Sequence, residues 1–132
     1  MKKVKNILLI ITGGIAAYKS LELIRRLKDQ GINVTCILTK SGSEFVTPLS
    51  VASLSGNHVY SDLFNLTDEN KMGHIQLSRE SDLILVAPAT SNTISKMVYG
   101  SCDDLASTVL MATNKQVSVS YTHLTLPTIL LV

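Results

Sequence analysis

Gly13 and Gly14 stand between an unbroken apolar run and a helical stretch, in the segment Ile10-Ile11-Thr12-Gly13-Gly14-Ile15-Ala16-Ala17-Tyr18-Lys19-Ser20. That junction narrows the folds open to the chain. The run Ile7-Leu8-Leu9-Ile10-Ile11 shows no polar alternation, the pattern of a parallel strand buried on both faces. Two residues without a Cβ let the backbone turn sharply and come close to a neighbour or a ligand. The helix that follows opens with N–H groups that lack an internal partner, a setting that favours phosphate. The turn is therefore either an ordinary tight strand-to-helix connection or an anion cradle.

The spacing excludes two better-known phosphate loops. A Walker loop places Lys-Ser or Lys-Thr directly after its last glycine, whereas Lys19-Ser20 lies a full helical turn beyond Gly14. The dinucleotide fingerprint asks for three glycines, and here the third position falls on Ala17. The second strand, Val34 to Leu38, ends in Thr39-Lys40-Ser41 with no acid to hold a ribose hydroxyl. Hydroxyls and a cation at that place suit a terminal monophosphate better.

Composition sets the class. The 132 residues suffice for one domain with a real core, and 45% apolar with 17% charged residues describe a folded globular chain. A net charge of +2, with dispersed Lys and Arg, gives no footprint for nucleic acid. Arg25-Arg26-Leu27-Lys28 is interleaved with Glu22 and Asp29 and reads as a solvated helix face. Cys36 and Cys102 have neither metal spacing nor a disulfide framework, so no metal site is expected. Reduced thiols agree with a cytoplasmic location. The Lys-rich start leads straight into a strand and is not a signal peptide. No apolar run reaches the roughly 20 residues that span a bilayer.

Strands and helices alternate along the chain. A strand over about 6–12 leads to a helix carrying Ala17, Leu21, Ile24 and Leu27 on one face, capped by Gly31. A second strand covers 33–38. Short helical pieces follow, with Pro48 in a first turn, then a short strand near 58–60 and a loop from Asp62 to Lys71. Asp82 to Ala87 is another buried strand, stopped by Pro88. Thr90 or Asn92 caps the next helix, a further helix covers 103–113, and Gln116–Val119 starts a fourth core strand. Such alternation predicts a three-layer α/β/α sandwich on a parallel, Rossmann-like sheet. Ligands in these folds gather at the carboxyl ends of the strands. There the turns Thr12-Gly13-Gly14, Thr39-Lys40-Ser41 and Pro88-Ala89-Thr90-Ser91-Asn92-Thr93 converge, which favours a bound ligand.

Residues 119–128, Val-Ser-Tyr-Thr-His-Leu-Thr-Leu-Pro-Thr, resemble one reading frame of a transposon-end adapter used in preparing sequencing libraries. The expectation is a natural domain over 1–118, incomplete at its carboxyl end, with 119–132 a non-native tail.

Gly13-Gly14-Ile15-Ala16-Ala17-Tyr18-Lys19, Thr47-Pro48-Leu49-Ser50, Met72-Gly73-His74-Ile75 and Ala87-Pro88-Ala89-Thr90 together resemble the flavin-containing cysteine decarboxylase family, over about residues 3–117. The match is best to its phosphopantothenoylcysteine decarboxylases of coenzyme A biosynthesis. The resemblance implies the flavoprotein fold, FMN as cofactor, phosphopantothenoylcysteine as substrate, and a homotrimer or larger homo-oligomer. It implies that Gly14, Ile15 and Ala16 meet the FMN phosphate, with Thr39, Lys40, Ser41 and Thr90, Ser91, Asn92, Thr93 as further flavin contacts. It makes His74 the active-site histidine, suited to taking the thiol proton or positioning the carboxylate. Gly100 and Asp103 match a helix start of the family, with Asp104 where asparagine is frequent.

In the implied chemistry the flavin oxidises the cysteinyl end to a thioaldehyde, carbon dioxide leaves, and the electrons return. The family's Pro-x-Met-Asn motif and flap cysteine are not represented here. The chain as given is thus expected to bind FMN poorly and not to complete turnover, and the apolar segment from Leu124 to Val132 is expected to make it poorly soluble. Flavin prenyltransferases differ in their glycine loop and lack Met-Gly-His-Ile. Peptidyl-cysteine decarboxylases would differ in the substrate flap. Phosphatase-inhibitory relatives carry acidic extensions, and a nicotinamide dehydrogenase would need the missing glycine and acid.

Overall fold

The apolar run forms β1 (Asn6–Ile11), the middle strand of a five-stranded sheet in a computed structural model that describes residues 3–61 and 68–121. The other strands are β2 (Asn33–Leu38), β3 (Val59–Ser61), β4 (Leu83–Ala89) and β5 (Gln116–Tyr121). All pair in parallel, in the order β3-β2-β1-β4-β5. Among the described residues the α-helices that connect them are α1 (Ala17–Asp29), α2 (Pro48–Ser55), α3 (Asp68–Glu80), α4 (Ser91–Tyr99) and α5 (Leu105–Ala112).

Side chains leave a strand on alternate faces, and here both faces are covered. Leu9 and Ile11 bury on one side with Ala17 and Ile24 of α1 and Val51 of α2. Leu8 and Ile10 bury on the other with Leu77 of α3 and Ala106 and Val109 of α5. The result is the expected three-layer sandwich. Each such Leu or Ile taken fully out of water contributes about 1.5–3 kcal/mol. At the amino end of the sheet, the Asp82 carboxylate accepts the N–H groups of Lys5 and Asn6, both at 2.9 Å, which pins the start of β1 to the start of β4.

Helix ends follow local chemistry. In α1, the N–H of Ile32 reaches Leu27 O and that of Gly31 reaches Lys28 O, closing the helix as its glycine suggests. Thr47 caps α2 by accepting the Ser50 N–H at 3.0 Å, ahead of Pro48. Thr90, not Asn92, caps α4 by accepting the Thr93 N–H at 3.1 Å. Asp104 and Ser107 form a capping box at the start of α5.

Three expectations need correction. The predicted loop from Asp62 to Lys71 is helical from Asp68 onward, and 62–67 lie outside the described residues. The segment from Asp68 to Glu80 is polar, with Leu77 and Ser78 buried among the described side chains, so periodicity did not betray it. Pro88 does not stop β4, which continues to Ala89 through a cis Ala87–Pro88 peptide. The register with β5 shifts between Val86 and Ala89, so the missing Pro88 N–H interrupts no regular ladder. Finally, among the described residues β5 is an edge strand, paired to β4 alone and exposed at Val119, Ser120 and Tyr121. It runs through Ser118 to Tyr121, and the remainder of the expected tail lies outside the described residues.

Candidate functional site

Strand order reverses at β1, between β2 and β4, and the crevice at such a point is where open α/β sheets hold ligands. The turns that follow these strands touch one another. A Cβ built on Gly13 would lie 2.6 Å from Cβ of Ser41, and one on Gly42 would lie 2.7 Å from Ile11 O. The Thr39 N–H donates to Ile11 O at 3.1 Å, fastening the β2 turn to the end of β1. On the other side, the Thr12 hydroxyl donates to Pro88 O. The three predicted turns are thereby brought together.

The start of α1 has no side-chain cap, and its Ala17 and Lys19 N–H groups turn back on Gly14 O and Ala16 O at 2.9 and 3.0 Å. Thr47, Thr90 and Asp104 cap α2, α4 and α5, but α1 begins on Ala16 with no side-chain cap and no acid in its first turn. Gly14 has φ +139° and open space where a Cβ would stand. A positive helix end without a competing carboxylate suits an anion. Ile15 and Tyr18 are exposed beside it, at 69% and 57%. A cavity of about 180 Å³ runs between α1 and β4, along Ala16, Lys19 and Pro88.

Other predicted residues divide into formers of the site and surfaces of it. Thr39 is buried and its hydroxyl accepts the Gly42 N–H at 3.0 Å, so it shapes the β2 turn, while Lys40 and Ser41 are exposed. Thr90 and Thr93 share a hydroxyl contact of 3.0 Å and stiffen the start of α4, leaving Ser91 and Asn92 exposed on its first turn. His74 lies midway along α3, half-buried, on the sheet face opposite α1. Among the described residues no hydrogen bond joins it to the three turns. A Cβ on its neighbour Gly73 would meet open space.

Cys36 is buried in β2, and burial pushes its thiol up to about 12, where it is inert; Cys102 is exposed. Burial alone would raise the Asp104 carboxyl, but bonds from Ser107 and the Lys96 ammonium at 3.1 Å hold it below its usual range. Lys96 also meets Asp103 at 3.1 Å, so one cation ties α4 to the start of α5.

Sequence reasoning passed over two residues at this crevice, Ser20 and the side chain of Thr12. Ser20 Oγ donates to Ala87 O at 2.8 Å. A signal was present: Ser20 stands between Ala17 and Ile24 on the buried stripe of α1, a polar residue where an apolar one fits the pattern.

The chain matches the Flavoprotein family model over residues 1–122. It is 47% identical over 116 residues to the coenzyme A biosynthesis bifunctional protein CoaBC of Vibrio vulnificus strain YJ016, covering 88% of this chain and 29% of that protein. Identity to the CoaBC protein of Escherichia coli K12 is 44% over 115 residues, covering 87% of this chain and 28% of the relative. Thus the chain spans under a third of the length of these relatives. A solved PPC decarboxylase variant complexed with pantothenoylaminoethenethiol superposes with a TM-score of 0.79 at 28% identity, over 94% of this chain and 70% of that one. Uncapped glycine turn, reversed strand order and sequence agree, and the chain belongs to the Flavoprotein family.

Proposed function

We propose that the chain is the FMN-dependent decarboxylase domain of a coenzyme A biosynthesis protein, converting phosphopantothenoylcysteine to phosphopantetheine and carbon dioxide. The observation that carries the reading is the uncapped start of α1, set against Ser41 by Gly13, in a chain 47% identical to a CoaBC protein. The residues fit the cofactor: Gly14 leaves open space where a side chain would stand, and the adjoining helix end has no acid to repel phosphate.

Bound FMN would supply the two-electron oxidation of the cysteinyl thiol that loosens the carboxylate, and would return the electrons afterwards. Gly14, Ile15 and Ala16 would offer backbone N–H groups to the phosphate. Lys40 and Ser41 would add a cation and a hydroxyl from the β2 turn. Ser91 and Asn92 would face the flavin nucleotide from the start of α4, held there by the Thr90–Thr93 contact. His74 would take the thiol proton or orient the carboxylate. The protein would act as a homo-oligomer, which is a use for exposed apolar side chains such as Leu49, Val98 and Tyr99.

The test is to express the protein from its complete reading frame and denature it. Yellow protein that releases FMN is the expected result. Colourless protein that takes up no FMN on reconstitution, or that carries FAD or a nicotinamide instead, would overturn the reading.

A further inference from the structure

We propose that the buried hydroxyls of Thr12 and Ser20 are positioning groups, which hold the Gly13-Gly14 turn and the Thr90–Thr93 turn at the separation that a cofactor touching both requires. This inference rests on the cofactor reading above. Neither hydroxyl is open to a ligand: Thr12 is 1% and Ser20 is 3% exposed. Both act through the backbone of β4.

The need for them arises where two neighbouring strands part. β1 and β4 pair from Ile7↔Leu83 to Ile10↔Val86 and no further. On its other side, β4 shifts register against β5 between Val86 and Ala89. The carbonyls of Ala87 and Pro88 therefore leave the regular ladder while both residues remain buried. An unpaired carbonyl there is costly. Side chains from the α1 side take up both. The Thr12 hydroxyl donates to Pro88 O, with the Thr12 N–H also directed there at 3.4 Å, and Ser20 Oγ donates to Ala87 O at 2.8 Å.

The placement of these bonds links them to the site. Thr12 immediately precedes the paired glycines, Ser20 lies in the first turns of α1, and Pro88 stands two residues before the cap of α4. The Thr12 bond thus joins the glycine turn to the segment that leads into the cap of α4, and the Ser20 bond ties α1 to β4 one residue earlier. Ala17 and Ala87 pack in the same cluster as the larger Ile24 and Leu85, and to that packing directional hydrogen bonds add a fixed spacing.

The experiment uses the protein expressed from its complete reading frame and four variants: Ser20→Ala, Thr12→Val, Thr12→Ser and Ser81→Ala. Ser81 is the comparison, since its hydroxyl makes an equally buried bond to Ser78 O at 2.8 Å, at the amino end of β4. Alanine at position 20 is a good helix former, so α1 is retained. FMN dissociation constants are read by fluorescence titration of apoprotein, and apoprotein melting by circular dichroism. Ser20→Ala and Thr12→Val are expected to raise the FMN Kd about tenfold, the worth of one hydrogen bond. Thr12→Ser, which keeps the hydroxyl, is expected to retain near wild-type affinity. Ser81→Ala is expected to lower the melting temperature comparably while leaving the Kd unchanged. Unchanged Kd in Ser20→Ala and Thr12→Val, or equal weakening by Ser81→Ala, would overturn this inference alone. Wild-type protein that binds no FMN would overturn both the inference and the reading beneath it.

Discussion

Gly13 and Ser41 are in such close contact that a single added methyl would collide: a Cβ on Gly13 would stand 2.6 Å from Cβ of Ser41. Two turns that are far apart in sequence thus share one wall. The contact explains why the β1 turn needs a residue without a side chain at this place. The next glycine answers a different demand, since Gly14 has open space around it and is required for its φ of +139°.

Alanine substitutions separate these two demands. Gly13→Ala has to push the β2 turn away and is expected to cost about 1–3 kcal/mol of stability. It should also weaken FMN binding. Gly14→Ala meets no neighbour and is expected to cost about 1–3 kcal/mol from backbone strain alone. The check is urea unfolding of each variant beside a double variant with Ser41→Gly. Relief of the Gly13→Ala penalty, with no relief for Gly14→Ala, is the expected pattern.

His74→Asn should abolish decarboxylation and leave flavin bound. His74 lies on α3, across the sheet from the proposed phosphate cradle at α1. Visible absorbance of the purified variant reports bound flavin, and carbon dioxide release reports turnover. Near-normal turnover of phosphopantothenoylcysteine would make His74 a structural residue.

The start of α5 carries an acid-sensitive contribution. Asp104 has its carboxyl held below the ordinary value of 3.8 in the folded state, so its stabilisation is full above that value and is lost as pH falls through the lowered one. Burial pulls Lys96 down, but Asp103 and Asp104 outweigh it, and its folded value lies above 10.5. Its share is therefore lost only as pH rises beyond that range. Asp104→Ala removes the cap and is expected to cost about 1 kcal/mol at neutral pH. Asp104→Asn keeps a capping oxygen and should cost less. The gap between wild type and Asp104→Asn should close below pH 3.8 in thermal melts, and a gap independent of pH would contradict the assignment.

The two cysteines should differ sharply in reactivity. Cys36, with its thiol pushed up to about 12 by burial, should resist alkylation in the native protein at mildly alkaline pH, while exposed Cys102 should react. Peptide mass mapping after brief treatment with iodoacetamide reads the ratio. Fast labelling of Cys36 would mean that β2 opens far more readily than its burial implies.

Much of this architecture was legible because its signals are local. The unalternating run Ile7–Ile11, the stripe Ala17–Ile24 and the caps at Pro48 and Gly31 each report on residues close in sequence. What stayed hidden depends on long-range contacts. α3 reads as polar, and among the described side chains its buried members are Leu77 and Ser78. Pro88 reads as a stop because its tolerance depends on where the ladders to β1 and β5 give out, which only the assembled sheet decides. The clustering of the three turns was expected from topology, but the reasons they touch, Gly13 on Ser41 and Thr12 on Pro88, come from pairs far apart in the chain. The Thr39 hydroxyl also accepts the Gly42 N–H within the β2 turn, a local bond compatible with the expected ligand contact.

The most direct test of the proposed activity follows the substrate. The protein expressed from its complete reading frame is loaded with FMN and incubated anaerobically with phosphopantothenoylcysteine, and the products are identified by mass spectrometry with carbon dioxide trapped in parallel. Phosphopantetheine and carbon dioxide in equal amounts, with no net oxidation of the product, are the predicted result. FMN-loaded protein that leaves this substrate intact, or that decarboxylates a peptide ending in cysteine in its place, would contradict the account.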